Sequence, residues 1–185
     1  MTTTTDDVSS STETETADPF FAQADKDTWQ TPPEIVEAFE KYDPIHTDPC
    51  AGPETRIGRE YNWTIEHDGL AWPWIGTVFV NPPFSDKTTW LDEVLSRLER
   101  KEVDRAYVLL PDSTDVQSWF HGRIVPHANY VWFAEGRVKF IDPESGEQRG
   151  SPTGGTCISM FGEEPPAAML EWFSENGWLV ETAEP

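Results

Sequence analysis

The stretch Val78-Phe79-Val80-Asn81-Pro82-Pro83-Phe84 decides how this chain is read. Three strand-favouring residues run straight into a double proline. Proline cannot donate to a sheet ladder, so the strand must end there. The residue before each proline is driven towards extended geometry, which stiffens the exit. Asn81 and Phe84 are therefore expected on a rigid loop just past a strand's carboxyl end, which is where α/β sheets bind their ligands. The loop chemistry suits a planar ring bearing an amine. An amide oxygen and a prolyl carbonyl can accept both protons of an exocyclic NH2, and an aromatic face can stack on the ring. Taken alone, an ordinary strand-capping turn explains the stretch as well, and its neighbours must decide.

Upstream, Trp29-Gln30-Thr31-Pro32-Pro33-Glu34 opens a helix. Thr31 suits the N-cap, Pro32 the first helical position, and Glu34 completes a capping box. Ile35, Val36 and Phe39 then give the helix one apolar face. Pro44-Ile45-His46-Thr47-Asp48 reads as a short buried strand ending in an acid, followed by the small-residue turn Pro49-Cys50-Ala51-Gly52. Such a turn lets backbone approach a ligand, with Asp48 free for a ribose hydroxyl or an ammonium. His67-Asp68-Gly69 offers a second acid in a turn, either a ligand group or only a turn former.

Downstream, Ser85 or Asp86 can cap a helix whose stripe is Leu91, Val94, Leu95 and Leu98. A strand over Ala106–Leu110, a short helix through Trp119-Phe120 and a strand at Tyr130–Phe133 follow. Gly136-Arg137-Val138-Lys139-Phe140 places two cations and an aromatic before a polar, Gly-rich loop over residues 142–155. It reads as a solvated hairpin or as a phosphate contact. A strand at Thr156–Phe161, a helix from Pro165 with Met169, Trp172 and Phe173 inward, and a strand at Trp178–Val180 complete the chain. Strands alternating with helices predict an α/β protein, a sheet covered on both faces.

Composition narrows the class. Residues 1–27 are mostly Thr, Ser, Asp and Glu without hydrophobic period, so a disordered acidic tail is expected ahead of one domain over 28–185. No apolar run reaches membrane-spanning length and the amino terminus lacks a signal pattern, so a cytoplasmic protein is expected. Two cysteines and four histidines show neither a disulfide framework nor metal-ligand spacing, and no metal is expected. The net charge of -21, from 34 acidic and 13 basic residues, runs against ordinary nucleic-acid binding. It equally fits a protein working in concentrated salt, where the screening length falls to about 3 Å at 1 M. Under that reading, stacking and hydrogen bonding replace ionic contacts.

The ordered set Trp29-x-Thr31-Pro32, Asp48-Pro-Cys-Ala-Gly52, Asn81-Pro-Pro-Phe84, Val108-Leu-Leu-Pro111 and Gly136-Arg-Val-x-Phe140 resembles the small phage-type DNA N6-adenine methyltransferases (Dam-like), across nearly everything after residue 27. The resemblance implies a Rossmann-like, S-adenosylmethionine-dependent fold, a three-layer sandwich with a mixed sheet. It assigns Asn81, Pro82, Pro83 and Phe84 to catalysis, with Phe84 stacking on a flipped-out base. It assigns Trp29, Thr31, Pro32, Asp48, Cys50, Ala51, Gly52 and Asp68 to the cofactor, and double-stranded DNA as partner, with Arg137 and Lys139 as phosphate contacts. Phe84 stands where many relatives have tyrosine, and Pro53-Glu54-Thr55 departs from a full glycine loop. A virus-encoded, salt-adapted enzyme is the implied source. Amine methylation of cytosine, RNA or a protein glutamine, and a non-catalytic decoy of the same fold, remain the alternatives.

Overall fold

The computed structural model describes residues 27–52, 56–142, 145–150 and 154–182. Most of the acidic tail (residues 1–26), the segment Pro53-Glu54-Thr55 and parts of the 142–155 loop lie outside the described residues.

Among the described residues seven strands form one mixed sheet in the order β2-β1-β3-β4-β8-β5-β9. They are β1 (Thr47–Asp48), β2 (Tyr61–Asn62), β3 (Thr77–Val80), β4 (Arg105–Pro111), β5 (Tyr130–Ala134), β8 (Thr156–Gly162) and β9 (Gly177–Glu181). The first four run parallel, β8 lies antiparallel between β4 and β5, and β9 closes the far side antiparallel to β5. Strands β6 (Lys139–Ile141) and β7 (Gln148–Gly150) form a separate antiparallel pair, so part of the polar loop is a hairpin.

Burial of both sheet faces explains why the central strands read as unbroken apolar runs. Val78, Val80, Ala106, Val108 and Leu110 face a core shared with helix α2 (Lys87–Glu99) and the segment Gln117–Ile124. Phe79, Tyr107 and Leu109 face the opposite core, under helices α1 (Pro33–Tyr42) and α3 (Ala167–Glu175). Of the expected stripes, Ile35 and Phe39 in α1 and Leu91 and Val94 in α2 are buried, joined by Ala38 and Trp90, whereas Val36, Leu95 and Leu98 are only partly covered.

The helix expected around Trp119 is π-helical, with His121 N–H donating to the Val116 carbonyl and Val125 N–H to Phe120. One buried polar knot ties the layers together. The Asp43 carboxylate, just past α1, accepts from Arg105 Nε at 2.9 Å, Arg105 Nη2 at 3.1 Å and Tyr107 Oη at 2.6 Å. Arg105 Nη1 also donates to the Glu164 carbonyl ahead of α3, so one guanidinium stitches α1, β4 and α3. No helix among the described residues is long and apolar enough to cross a membrane.

Candidate active site

The strand order turns on β1. From it the sheet runs to β2 on one side and to β3 and β4 on the other. In open α/β sheets such a reversal is where ligands bind, beyond the carboxyl ends of the strands that flank it, here β1 and β3. Asp48 ends β1, and Asn81 follows β3 directly. The register pairs Thr47 with Val78, which puts Asp48 level with Phe79 and Asn81 two residues further out.

Asn81 is held in one orientation. Its Nδ2 donates to the Trp29 carbonyl at 3.1 Å and to Thr31 Oγ1 at 3.2 Å. With both amide protons engaged, Oδ1 is turned the other way. Among the described residues nothing donates to Oδ1 or to the Pro82 carbonyl, so two acceptors are unpaired at this loop. This revises the capping assigned to Thr31. Helix α1 begins at Pro33 with Pro32 at its N-cap and no side-chain capping bond, because the Thr31 hydroxyl is spent on Asn81.

The rest of the loop is clamped from both ends. Asp27 accepts from Ser85 N–H at 3.1 Å and from Ser85 Oγ at 2.5 Å. Lys87 Nζ donates to the Phe84 carbonyl at 2.6 Å and lies over the Trp119 ring. Neither Asp27 nor Lys87 was singled out from sequence. Asp27 falls at the end of the expected tail, and Lys87 carries no local signal. Phe84 itself is 8% exposed and packs in the core beneath α1, so its ring is mostly covered.

Asp48 is 5% exposed. Its carboxylate accepts from Cys50 N–H at 3.0 Å, and the Ile57 N–H is a second backbone donor. Burial outweighs these bonds and pushes the acid up from 3.8 to about 7. Burial also pushes the Cys50 thiol up, with Asp48 adding to it, so Cys50 is a neutral wall and not a nucleophile. The glycines here are fixed by close approach. A side chain at Gly58 would meet the Asp48 backbone nitrogen at 2.8 Å, and one at Gly69 the Pro49 carbonyl at 1.9 Å. The second contact lays the 67–70 turn against the Asp48 turn. Asp68, exposed and in a left-handed conformation (φ 55°), is thereby brought near the site, as are Ala51 and Gly52.

Arg137 and Lys139 are exposed and have no carboxylate partner among the described residues. They join the site indirectly. Gln30 pairs with Ile141 of β6 through two backbone bonds, and Phe140 packs against the Trp29 ring. Arg137 also lines a groove of about 400 Å³ with Glu34, Glu37, Lys41 and Glu135, which includes neither Asn81 nor Asp48. That groove is mixed in charge, and neither of the two unpaired acceptors lines it. No group of three or more His, Cys, Asp or Glu among the described residues could hold a metal ion.

By fold and site the chain falls among α/β proteins that gather polar groups at a sheet's switch point, the place where that architecture binds ligands. It belongs to the DNA N-6-adenine-methyltransferase (Dam) family, whose family model matches residues 20–175. No curated protein and no solved structure matches it significantly.

Proposed function

We propose that the protein is a Rossmann-like, S-adenosylmethionine-dependent methyltransferase acting on the N6 amine of a flipped-out DNA adenine. The observation that carries this is the orientation of Asn81, whose two amide protons are bound by Trp29 and Thr31, which leaves Oδ1 and the Pro82 carbonyl as unpaired acceptors in one loop. Two acceptors and no donor make a site for an NH2 group.

The residues at the switch point fit the cofactor. Asp48 is a buried acid whose usual ionisation is suppressed, and a ligand ammonium or hydroxyl would repay its burial. The backbone of Cys50–Gly52 would line the cofactor, with Trp29 and Pro32 on the α1 side and Asp68 at the rim. When bound, S-adenosylmethionine supplies an electrophilic methyl group on a sulfonium.

The chain's own contribution is positioning. An adenine N6 lone pair is delocalised into the ring and attacks poorly. Asn81 Oδ1 and the Pro82 carbonyl would accept the two N6 protons and favour a more tetrahedral nitrogen, which aims the lone pair along the line of transfer. The Asp27 and Lys87 bonds hold the loop in that shape. Reaching N6 requires extrusion of the base, costing a few kcal/mol. The stacking that the resemblance implies for Phe84 would require its ring to leave the core. In its present packing Phe84 supports the loop from beneath.

The acidic balance accords with work in concentrated salt, where DNA would be held by stacking and hydrogen bonds. Transfer from labelled S-adenosylmethionine to unmethylated DNA in multi-molar KCl, with Asn81→Ala alongside, tests the proposal. N6-methyladenine made by the wild type and absent with the variant is the expected result. Tight cofactor binding without transfer to DNA would move the substrate to RNA or a protein amide.

A further inference from the structure

The geometry points to the turn Trp63–Trp72 as an apolar wedge that engages DNA bases next to the extruded target. This rests on the DNA-methylation reading above and adds to it the element that opens the duplex. Five large hydrophobic residues are exposed among the described residues; two of them, Ile65 at 96% and Trp72 at 46%, fall in this turn, and a third, Tyr61 at 38%, lies just ahead of it on β2. Scattered exposed apolar residues are ordinary, whereas a contiguous set is a mark of an interaction surface.

The set is built as a rigid platform. Tyr61 stacks on Trp63 at 5.3 Å and 18°, and Trp63 on Trp72 at 5.1 Å and 25°. Each indole N–H is already used, Trp63 on the Pro73 carbonyl and Trp72 on the His67 carbonyl, so both rings offer only π faces. Ile65 stands at the tip of a tight turn, closed by the His67 N–H to Thr64 carbonyl bond and by the contact of Thr64 Oγ1 with His67 Nδ1. A β-branched side chain on a locked turn loses little entropy on insertion.

Its place in the sheet selects the partner. Asn62 pairs with Asp48, and Thr47 with Val78, so Asn62, the last residue of β2, stands level with Phe79, and the 63–72 turn leaves β2 at the same end at which the Asn81 loop leaves β3. Strand β2 lies two positions from β3, about 10 Å away. The tip thus projects from the same sheet edge as the target-holding loop, within the width of a duplex seated there. Glu66 and Asp68 flank it, both exposed, which disfavours phosphate and leaves base faces as the contact. Apolar side chains wedged between base steps are a known means of unstacking a duplex.

The test compares wild type, Ile65→Ser and Ile65→Leu in single-turnover methyl transfer, on oligonucleotides carrying the site that the wild type methylates. One duplex is fully paired, and the other has an abasic site opposite the target adenine. Ile65→Ser should lose about tenfold or more on the paired duplex, and less than about threefold on the abasic one, where little pairing needs breaking. Ile65→Leu should stay close to wild type on both. Equal loss on both duplexes, or no loss on either, overturns the wedge. So does weakened S-adenosylmethionine binding by Ile65→Ser, which would make the turn a cofactor wall. A wild-type dimer that the substitution dissociates would make it a self-association surface and overturn the wedge as well. No transfer by the wild type to either DNA instead overturns the underlying activity.

Discussion

Replacing Asp48 by asparagine tests the switch-point site most directly, because the same burial that suits the acid to a ligand makes it costly without one. The carboxyl group is raised from 3.8 to about 7 by burial, against two backbone donors that act the other way. A folded-state value above the unfolded one means that stability is full below about pH 4 and falls as pH rises towards 7. The gap between those values corresponds to ~4 kcal/mol lost by pH 8. Asparagine keeps an oxygen for Cys50 N–H and cannot ionise, but its amide protons need acceptors, at a cost of about 1–3 kcal/mol. Asp48→Asn should therefore be more stable than wild type at pH 8 by ~2 kcal/mol, or roughly 4–8 °C in Tm. At pH 4.5 the order should narrow or reverse. Thermal unfolding at pH 4.5, 6 and 8 in fixed KCl, without cofactor, reads the difference, and subtracting the two proteins removes the other carboxylates. Parallel Tm curves for the two proteins would refute the argument, since Asp48 would then not titrate across this range. The variant's cofactor affinity, measured alongside, should fall while its stability rises, which is the mark of a functional group held at a structural cost.

Other expectations follow from single contacts. Thr31→Val removes one of the two acceptors fixing the Asn81 amide and should lower kcat about five- to tenfold, with Thr31→Ser restoring it; equal activity of both variants would show that the Trp29 carbonyl suffices. Asp43→Asn leaves the Arg105 charge buried without its partner and should cost about 3–5 kcal/mol, a Tm fall of roughly 10 °C by scanning calorimetry; a fall under about 3 °C would mean that water replaces the carboxylate. Arg137→Ala with Lys139→Ala should reduce the slope of log DNA affinity against log salt by about 2, and an unchanged slope would show that neither reaches a phosphate.

The strands and helices were legible where burial is two-sided or periodic. Val78–Val80 and Ala106–Leu110 read as strands because neither face meets water, and Ile35–Phe39 as a helix because one face does. Strand β2 was not legible. Tyr61-Asn62 is two residues long and is held by pairing with β1, with no pattern of its own. The Asn81 and Asp48 positions could be read because proline and small-residue turns mark them locally. Their partners could not. Asp27, the Trp29 carbonyl and Thr31 reach the loop across fifty residues or more, and Thr31 looked like a capping residue because its local sequence is a good capping sequence. The tertiary bond took the hydroxyl that the local one would have used.

That long stitching also orders events during synthesis. The Asn81 amide is oriented by Trp29 and Thr31, and this lead-in is itself pinned by Gln30 to Ile141, 111 residues later. A nascent chain released through residue 110 holds Asn81 and Pro82 and lacks the pairing that pins the segment bracing them. Contacts of such separation form late, because loop closure must be paid before they contribute. The ribosome therefore displays the Asn-Pro-Pro-Phe loop well before its brace is in place, and the loop reaches its folded geometry only when the β6 strand closes over the amino-terminal segment.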